Sequence, residues 1–214
     1  MNTPELTIPT ENKTSVEVRQ ATANDIEDLA RVQWFARKQG VEQGYLPERV
    51  LGLHPGEPSP IPDALGIRYA AGELTRHYMM NPKDDDVILS ARIDGGIVGK
   101  SSLAIKDDLK VAEFDSLDIL PEFQGKGIAL KLQNESVRYV RKHFSSVKTI
   151  RIGRFKESTE YAQKNFHKNS FFNALLSHEK ATLEEKNDRG AFITWINVPI
   201  DIYEEEVQKR LTAK

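Results

Sequence analysis

Leu117-Asp118-Ile119-Leu120-Pro121-Glu122-Phe123-Gln124-Gly125-Lys126-Gly127-Ile128-Ala129 is the stretch from which the rest of the chain can be read. Its first residues close a β-rich run, Val111 to Leu120, and Pro121 ends that run because proline has no N–H for a strand ladder. Its last residues open a series, Ile128, Leu132, Val137, Val140 and Phe144, whose spacing predicts a long amphipathic helix. Two glycines sit between strand and helix. Glycine lets a backbone approach an anion closely, and the free N–H groups at a helix start point toward it, with the positive end of the helix dipole behind them. Spacing alone leaves two readings open, a bound anion or a tight turn without a ligand.

Working outward, Val16-Glu17-Val18-Arg19 alternates as a half-buried strand does. Thr22 and Asp25 are spaced to cap a helix whose apolar positions are Ile26, Leu29, Ala30, Val32 and Phe35. From Gly40 to Gly66 prolines and glycines break every periodicity, which predicts an insertion, mostly loop with one short helix, either a substrate lid or a surface loop. A helix is expected from Arg68 to Met79. Val87–Ile93 and Ile97–Ile105 flank Asp94-Gly95-Gly96, a hairpin signal. Val147 to Gly153 reads as a strand and Thr159 to Asn169 as a helix. Phe171 to Leu176 is expected to enter a further strand, Ala191 to Val198 supplies the last one, and Asp201 to Arg210 reads as a charged, helical tail. This order, β-α-α-β-β-β-α-β-α-β-β, predicts an α/β (α+β) chain: a mixed sheet with helices on its faces.

Bulk properties bound the function. With 214 residues, 39% of them hydrophobic and 29% charged, the chain is expected to fold as one globular domain over 15–214, preceded by a polar, frayed tail over 1–14. A net charge of −2 gives no global attraction to nucleic acid or to anionic lipid. No run is long and apolar enough for a signal peptide or a membrane span. Cysteine is absent, which excludes disulfides, zinc thiolates and a cysteine nucleophile and fits a cytoplasmic protein. The five histidines have no metal-ligand spacing, so no metal is expected. Asp94-Gly95-Gly96-Ile97-Val98-Gly99-Lys100-Ser101 imitates a nucleotide P-loop, but Asp94 stands where the first glycine is required and the segment continues as strand. Trp34 and Trp195 lie in apolar runs and are assigned to the core.

The run Leu117–Pro121 followed by Gln124-Gly125-Lys126-Gly127-Ile128-Ala129 resembles the acyl-CoA motif of the GNAT superfamily of N-acyltransferases, with Gln124, Gly127 and Ala129 at its signature positions. Val18-Arg19-Gln20-Ala21-Thr22 with Asp25 is similar to the family's opening strand and helix. Ala162-Gln163-Lys164-Asn165-Phe166-His167-Lys168-Asn169-Ser170-Phe171 is similar to its C-terminal segment. The resemblance implies a mostly antiparallel central sheet flanked by helices, with a splayed strand pair at the acyl-CoA site. It implies that the main chain of Leu117, Asp118 and Ile119 pairs with the pantetheine arm, and that Gln124, Gly125, Lys126, Gly127, Ile128 and Ala129 hold the pyrophosphate.

Acetyl-CoA is thus the expected co-substrate, with a small-molecule or peptide amine as acceptor. Phe166 stands at the cofactor where the family often has a tyrosine that protonates the departing thiolate, and phenylalanine cannot donate a proton. An ammonium acceptor must also lose a proton before attack. Glu113 and Asp115 are the candidates for that base, since strict strand alternation puts both on one face with Leu117 and Ile119, just upstream of the acyl carbon. Two close carboxylates would also raise one pKa. The alternatives kept open are a non-catalytic acyl-CoA-binding or interaction module on the same fold, and, for quaternary structure, a homodimer through the C-terminal strands.

Overall fold

In the computed structural model the strands β1 (Glu17–Gln20), β2 (Asp86–Ile93), β3 (Gly96–Lys106), β4 (Val111–Ile119), β5 (Thr149–Phe155), β6 (Thr182–Asp188) and β7 (Ala191–Pro199) form one sheet in the order β1-β2-β3-β4-β5-β7-β6. The structure describes residues 15–44, 46, 48–51, 61–76, 86–106, 108, 110–155, 170–188 and 191–213. The pairings are antiparallel except for β4 with β5, which are parallel. The helices are α1 (Ile26–Glu42), α2 (Asp63–Thr75), α3 (Ile128–His143), α4 (Ser170–Leu176) and α5 (Ile200–Thr212). This is the mixed, mostly antiparallel, helix-flanked sheet that the motif implied.

Alternation along the strands distributes the apolar side chains between two cores. Val87 and Leu89 join Leu103, Ala112, Phe114, Ile150 and Val198 beneath α3 and α5, whereas Ile88 joins Leu29, Val32, Ala70 and Leu74 beneath α1 and α2. Asp25 fixes the entry into α1. Its carboxylate accepts the Thr22 N–H at 2.9 Å and pairs with Arg92, both side chains being almost wholly buried. Gly66 brings α2 onto α1, since a β-carbon there would come within 2.3 Å of the Trp34 ring. Asp63 locks that contact by accepting from Trp34 Nε1 at 2.9 Å and from Lys38 Nζ at 2.8 Å. The Asp94-Gly95 turn has φ of 50° and 83°, the left-handed pair that a two-residue hairpin needs.

Three expectations are corrected. The segment Phe171–Leu176 lies in α4, not in a strand, and Phe171 and Leu175 are buried in the α3-side core. Helix α2 runs Asp63–Thr75 instead of starting at Arg68, with Pro62 just ahead of its first residue, where a fixed φ suits a helix start. The third correction concerns β4. Phe114 pairs with Leu103 and Ser116 with Ser102, so Asp115 is an extra residue, a β-bulge. Alternation therefore breaks at Asp115. Glu113 faces away from α3, while Leu117 and Ile119 pack on the α3-side core, so the single face expected for Glu113, Asp115, Leu117 and Ile119 does not exist. The charged tail is a helix, as expected, but Ile200, Tyr203 and Val207 make it a core element. The helix expected over 159–169 lies outside the described residues, as does much of the 40–66 insertion, of which the end of α1, a 3-10 turn at Glu48–Leu51 and the start of α2 are described. Among the described residues no helix is long and apolar enough to cross a membrane.

Candidate functional site

Strands β4 and β5 stay paired only from Val111/Thr149 to Phe114/Ile152. Beyond Phe114, β4 runs on to Ile119 beside β3 alone, while β5 runs on to Phe155 beside β7. The bulge at Asp115 marks the fork. Past it, the β5-facing edge of Asp115–Ile119 has no ladder partner from β5, so the N–H and C=O groups on that edge are open to a ligand that lies along the strand, except the Ile119 carbonyl, which accepts from Gln124.

This open edge runs into the glycine loop. A 3-10 turn at Pro121–Phe123 follows β4, and Gln124 then folds back, donating from Nε2 to the Ile119 carbonyl at 3.2 Å and to Gln39 of α1 at 2.6 Å. Gly125 and Gly127 have φ of 73° and 80°. No atom lies near where a Gly125 β-carbon would stand, so the demand for glycine there is conformational and not steric. Gly127 is the N-cap of α3; no side chain caps that end and no acidic residue stands in its first turn. The end therefore keeps outward-pointing N–H groups and an uncompensated positive dipole. The Lys126 ammonium lies 4.9 Å from the centre of the Phe123 ring. Leu117, Ile119, Phe123, Gln124, Gly125, Gly127, Ile128, Ala129 and Leu130, with Ala36 of α1, line a cleft of about 410 Å3. Of the residues expected at a cofactor, Leu117, Ile119, Gln124, Gly125, Gly127, Ile128 and Ala129 line this cleft; Lys126 and Asp118 are not part of its lining, and the Asp118 side chain is buried against Lys100. Phe166 lies outside the described residues.

On the face away from α3, at the fork, Glu113 meets Arg151 at 3.7 Å. Arg151 also donates from Nε to Asn197 Oδ1 at 2.7 Å and from Nη2 to Glu184 at 3.1 Å, and its guanidinium stands 5.9 Å from the Trp195 ring. Trp195 covers Gly153, where any β-carbon would come within 2.6 Å of the ring. Asp115 is solvent-exposed at the bulge. Sequence reading missed Arg151, Glu184 and Asn197, and assigned Trp195 to the core although it is only half-buried. The one signal in the sequence was Ile150-Arg151-Ile152, an arginine that alternation sends to the face opposite two buried isoleucines. A second polar cluster, Lys100, Ser102, Ser116 and Asp118, spans β3 and β4 just past the bulge. Among the described residues no group of His, Asp or Glu is arranged to hold a metal ion.

Comparison with known proteins agrees with this fold. The Acetyltransferase (GNAT) family model matches residues 60–171. An uncharacterized N-acetyltransferase of Archaeoglobus fulgidus is 32% identical over 159 residues, covering 71% of this chain and 89% of its own. Among solved structures, the PaiA N-acetyltransferase of Thermoplasma acidophilum in complex with coenzyme A superposes with a TM-score of 0.57 at 21% identity, covering 85% of this chain and 98% of that one. The spermidine N-acetyltransferase of Vibrio cholerae in complex with CoA and spermine gives a TM-score of 0.52 at 18% identity, covering 88% and 97%. At these identities the two structures speak for the fold.

Proposed function

The chain belongs to the GNAT acetyltransferase family, and on that premise we propose that it moves an acetyl group from acetyl-CoA to a primary amine by direct attack. The observation that carries this reading is a strand edge without a ladder partner running directly into an uncapped helix start, both lining one cleft. In this reading the main chain of Leu117, Asp118 and Ile119 pairs with the pantetheine arm. The N–H groups of Gln124 to Ala129 receive the pyrophosphate, with Lys126 near enough to add charge. A backbone N–H near Ile119 polarises the thioester carbonyl as negative charge builds on its oxygen.

The amine approaches the fork from the face that carries Glu113. Its nitrogen bonds to the acyl carbon, the C–S bond breaks, and CoA leaves as a thiolate. Glu113 takes the amine proton through a water, with Asp115 as the other candidate. The Arg151 cluster beside Glu113 offers polar and aromatic surface to a small-molecule or peptide amine. The chemistry needs no metal, and a cysteine-free chain suits the cytoplasm.

Isothermal titration with acetyl-CoA, followed by a screen of amine acceptors with detection of released thiol, tests the reading. Micromolar binding and turnover with at least one amine are expected. Glu113→Gln should then cut turnover by about 100-fold or more while leaving acetyl-CoA affinity within about twofold. A failure to bind acetyl-CoA at high micromolar concentration would overturn the proposal. Phe166 supports a second reading, a non-catalytic acyl-CoA-binding or interaction module, because this side chain cannot protonate a thiolate. Binding without turnover for every amine would decide for that module.

A further inference from the structure

Lys100 is 1% exposed, in the middle of β3, next to the strand half that has lost its β5 neighbour. Its ammonium donates to Ser116 Oγ at 2.7 Å and to Ser102 Oγ at 3.2 Å, and Asp118 Oδ2, 2.9 Å away, is its counter-charge, an ion pair without hydrogen-bond geometry. Ser116 in turn lies 3.2 Å from Ser102, which closes the cluster. The register puts Lys100 opposite Asp118 and Ser102 opposite Ser116, so the four side chains form a cross-strand square on one face. Both of its β4 members come after the bulge, and neither belongs to the half of β4 that β5 holds.

We propose that Lys100 is a positioning residue that clamps the free half of β4 to β3 and thereby keeps the β4–β5 cleft open for its ligand. A strand edge without a partner tends to find one, and the nearest is the facing edge of β5. Backbone pairing with β3 alone resists that closure weakly, since a single ladder can twist and shift. The buried ammonium adds a directional tether. Moving Ser116 or Asp118 toward β5 would strip partners from a charge that water cannot reach, and an unpaired buried charge is far more costly than an unpaired surface one. An apolar side chain of the same length would fill the space without fixing the distance. This inference rests on the acyl-CoA reading for the identity of the ligand, although not for the clamp itself.

Three measurements on the full chain test it. Amide hydrogen exchange reads the clamp without any ligand. In Lys100→Met, the β3-paired amides of Ser116–Ile119 should exchange about tenfold faster than in the unsubstituted chain, with those of Val111–Phe114 changing less than about twofold. Equal acceleration in both halves would overturn the proposal. Titration with CoA reads the consequence, and Lys100→Met should weaken binding by about tenfold. The double variant Lys100→Met/Asp118→Leu removes both charges and should return the thermal midpoint close to that of the unsubstituted chain, while the loss of about tenfold in CoA affinity persists. Affinity that recovers together with the midpoint would mean that Lys100 is structural only, and the proposal would fall. Where Lys100→Met does not fold, Ser116→Ala removes the shortest contact and keeps the ion pair; about threefold faster exchange confined to Ser116–Ile119 is then expected, and unchanged exchange there refutes the clamp. An unsubstituted chain that binds no CoA would sink the acyl-CoA reading, and the exchange data would still judge Lys100.

Discussion

At Gly127 the backbone takes φ of 80° and turns from the loop into the first residue of α3. Any side chain there must enter the left-handed region, at a cost of about 1–2 kcal/mol. Gly127→Ala should therefore lower the unfolding free energy by about 1 kcal/mol in urea titrations and weaken acetyl-CoA binding as the first N–H groups of α3 tilt. An unchanged urea midpoint would mean that the turn does not demand glycine. This residue was legible in the sequence because glycine enters the left-handed region more readily than any other residue. Asp115 was not legible. A bulge is a property of the register between two strands, and nothing in Phe114-Asp115-Ser116 distinguishes an extra residue from an ordinary exposed one. Lys100 was equally hidden, since a lysine in a strand reads as surface until Ser116 and Asp118 are known to lie across from it.

The entry into α1 depends on one carboxylate. Burial pushes the Asp25 pKa up, but the Thr22 N–H, the Arg92 guanidinium and the Thr22 hydroxyl together outweigh this and hold it below the ordinary 3.8. Because the folded carboxyl is the stronger acid, the unfolded chain takes up the proton first. The stability Asp25 contributes is thus complete above the unfolded value and disappears as pH falls through the lower folded value. Asp25→Asn should cost about 1–3 kcal/mol at neutral pH, through the lost cap and a buried Arg92 left without its counter-charge. Its stability should also fall less steeply than that of the unsubstituted chain below pH 4 or so, in urea melts taken across that range. Parallel acid limbs for the two proteins would refute the assignment. Among the elements, Asp94-Gly95 and the Thr22/Asp25 spacing announced their structures because the signal is local. Helix α4 did not. Phe171–Leu176 is a short apolar run, and such runs carry no period that separates a buried helix turn from a strand; only packing against Tyr203 and the α3-side core decides it.

At the scale of the molecule, α5 links the C-terminal segment to the cleft. Tyr203 is fully buried, with Phe114 at the fork stacked 5.7 Å from its ring and Phe171 of α4 meeting it edge-on at 5.5 Å. Arg141 of α3 pairs with Asp201 and Glu204 on the outside of the same contact. A chain ending at Pro199 should consequently lose its cooperative thermal transition in calorimetry, although the family match ends at residue 171. A sharp transition in the truncated chain would show that α5 is an accessory. The order of elements as far as β5 and the glycine turn into α3 were readable in advance because each is carried by neighbouring residues, whereas β6 went unread and the run before it was taken for a strand. The Arg151 cluster was not, since Glu113, Arg151, Glu184 and Asn197 come from four strands and meet only once the order β4-β5-β7-β6 is known.

The extra residue at Asp115 gives β4 two halves of opposite parity. Upstream, even-numbered residues point to the α3 side; downstream, odd-numbered ones do. Each half is correct only relative to its own count, so a single-codon deletion or insertion inside β4 would leave one half in phase and send the other through the sheet, driving Glu113 into the aliphatic core or Leu117 and Ile119 out of it. Substitutions along this strand can be tolerated one by one, whereas its length cannot drift. Between Val111 and Pro121 the constrained quantity is thus the number of residues, and residue type is the freer one.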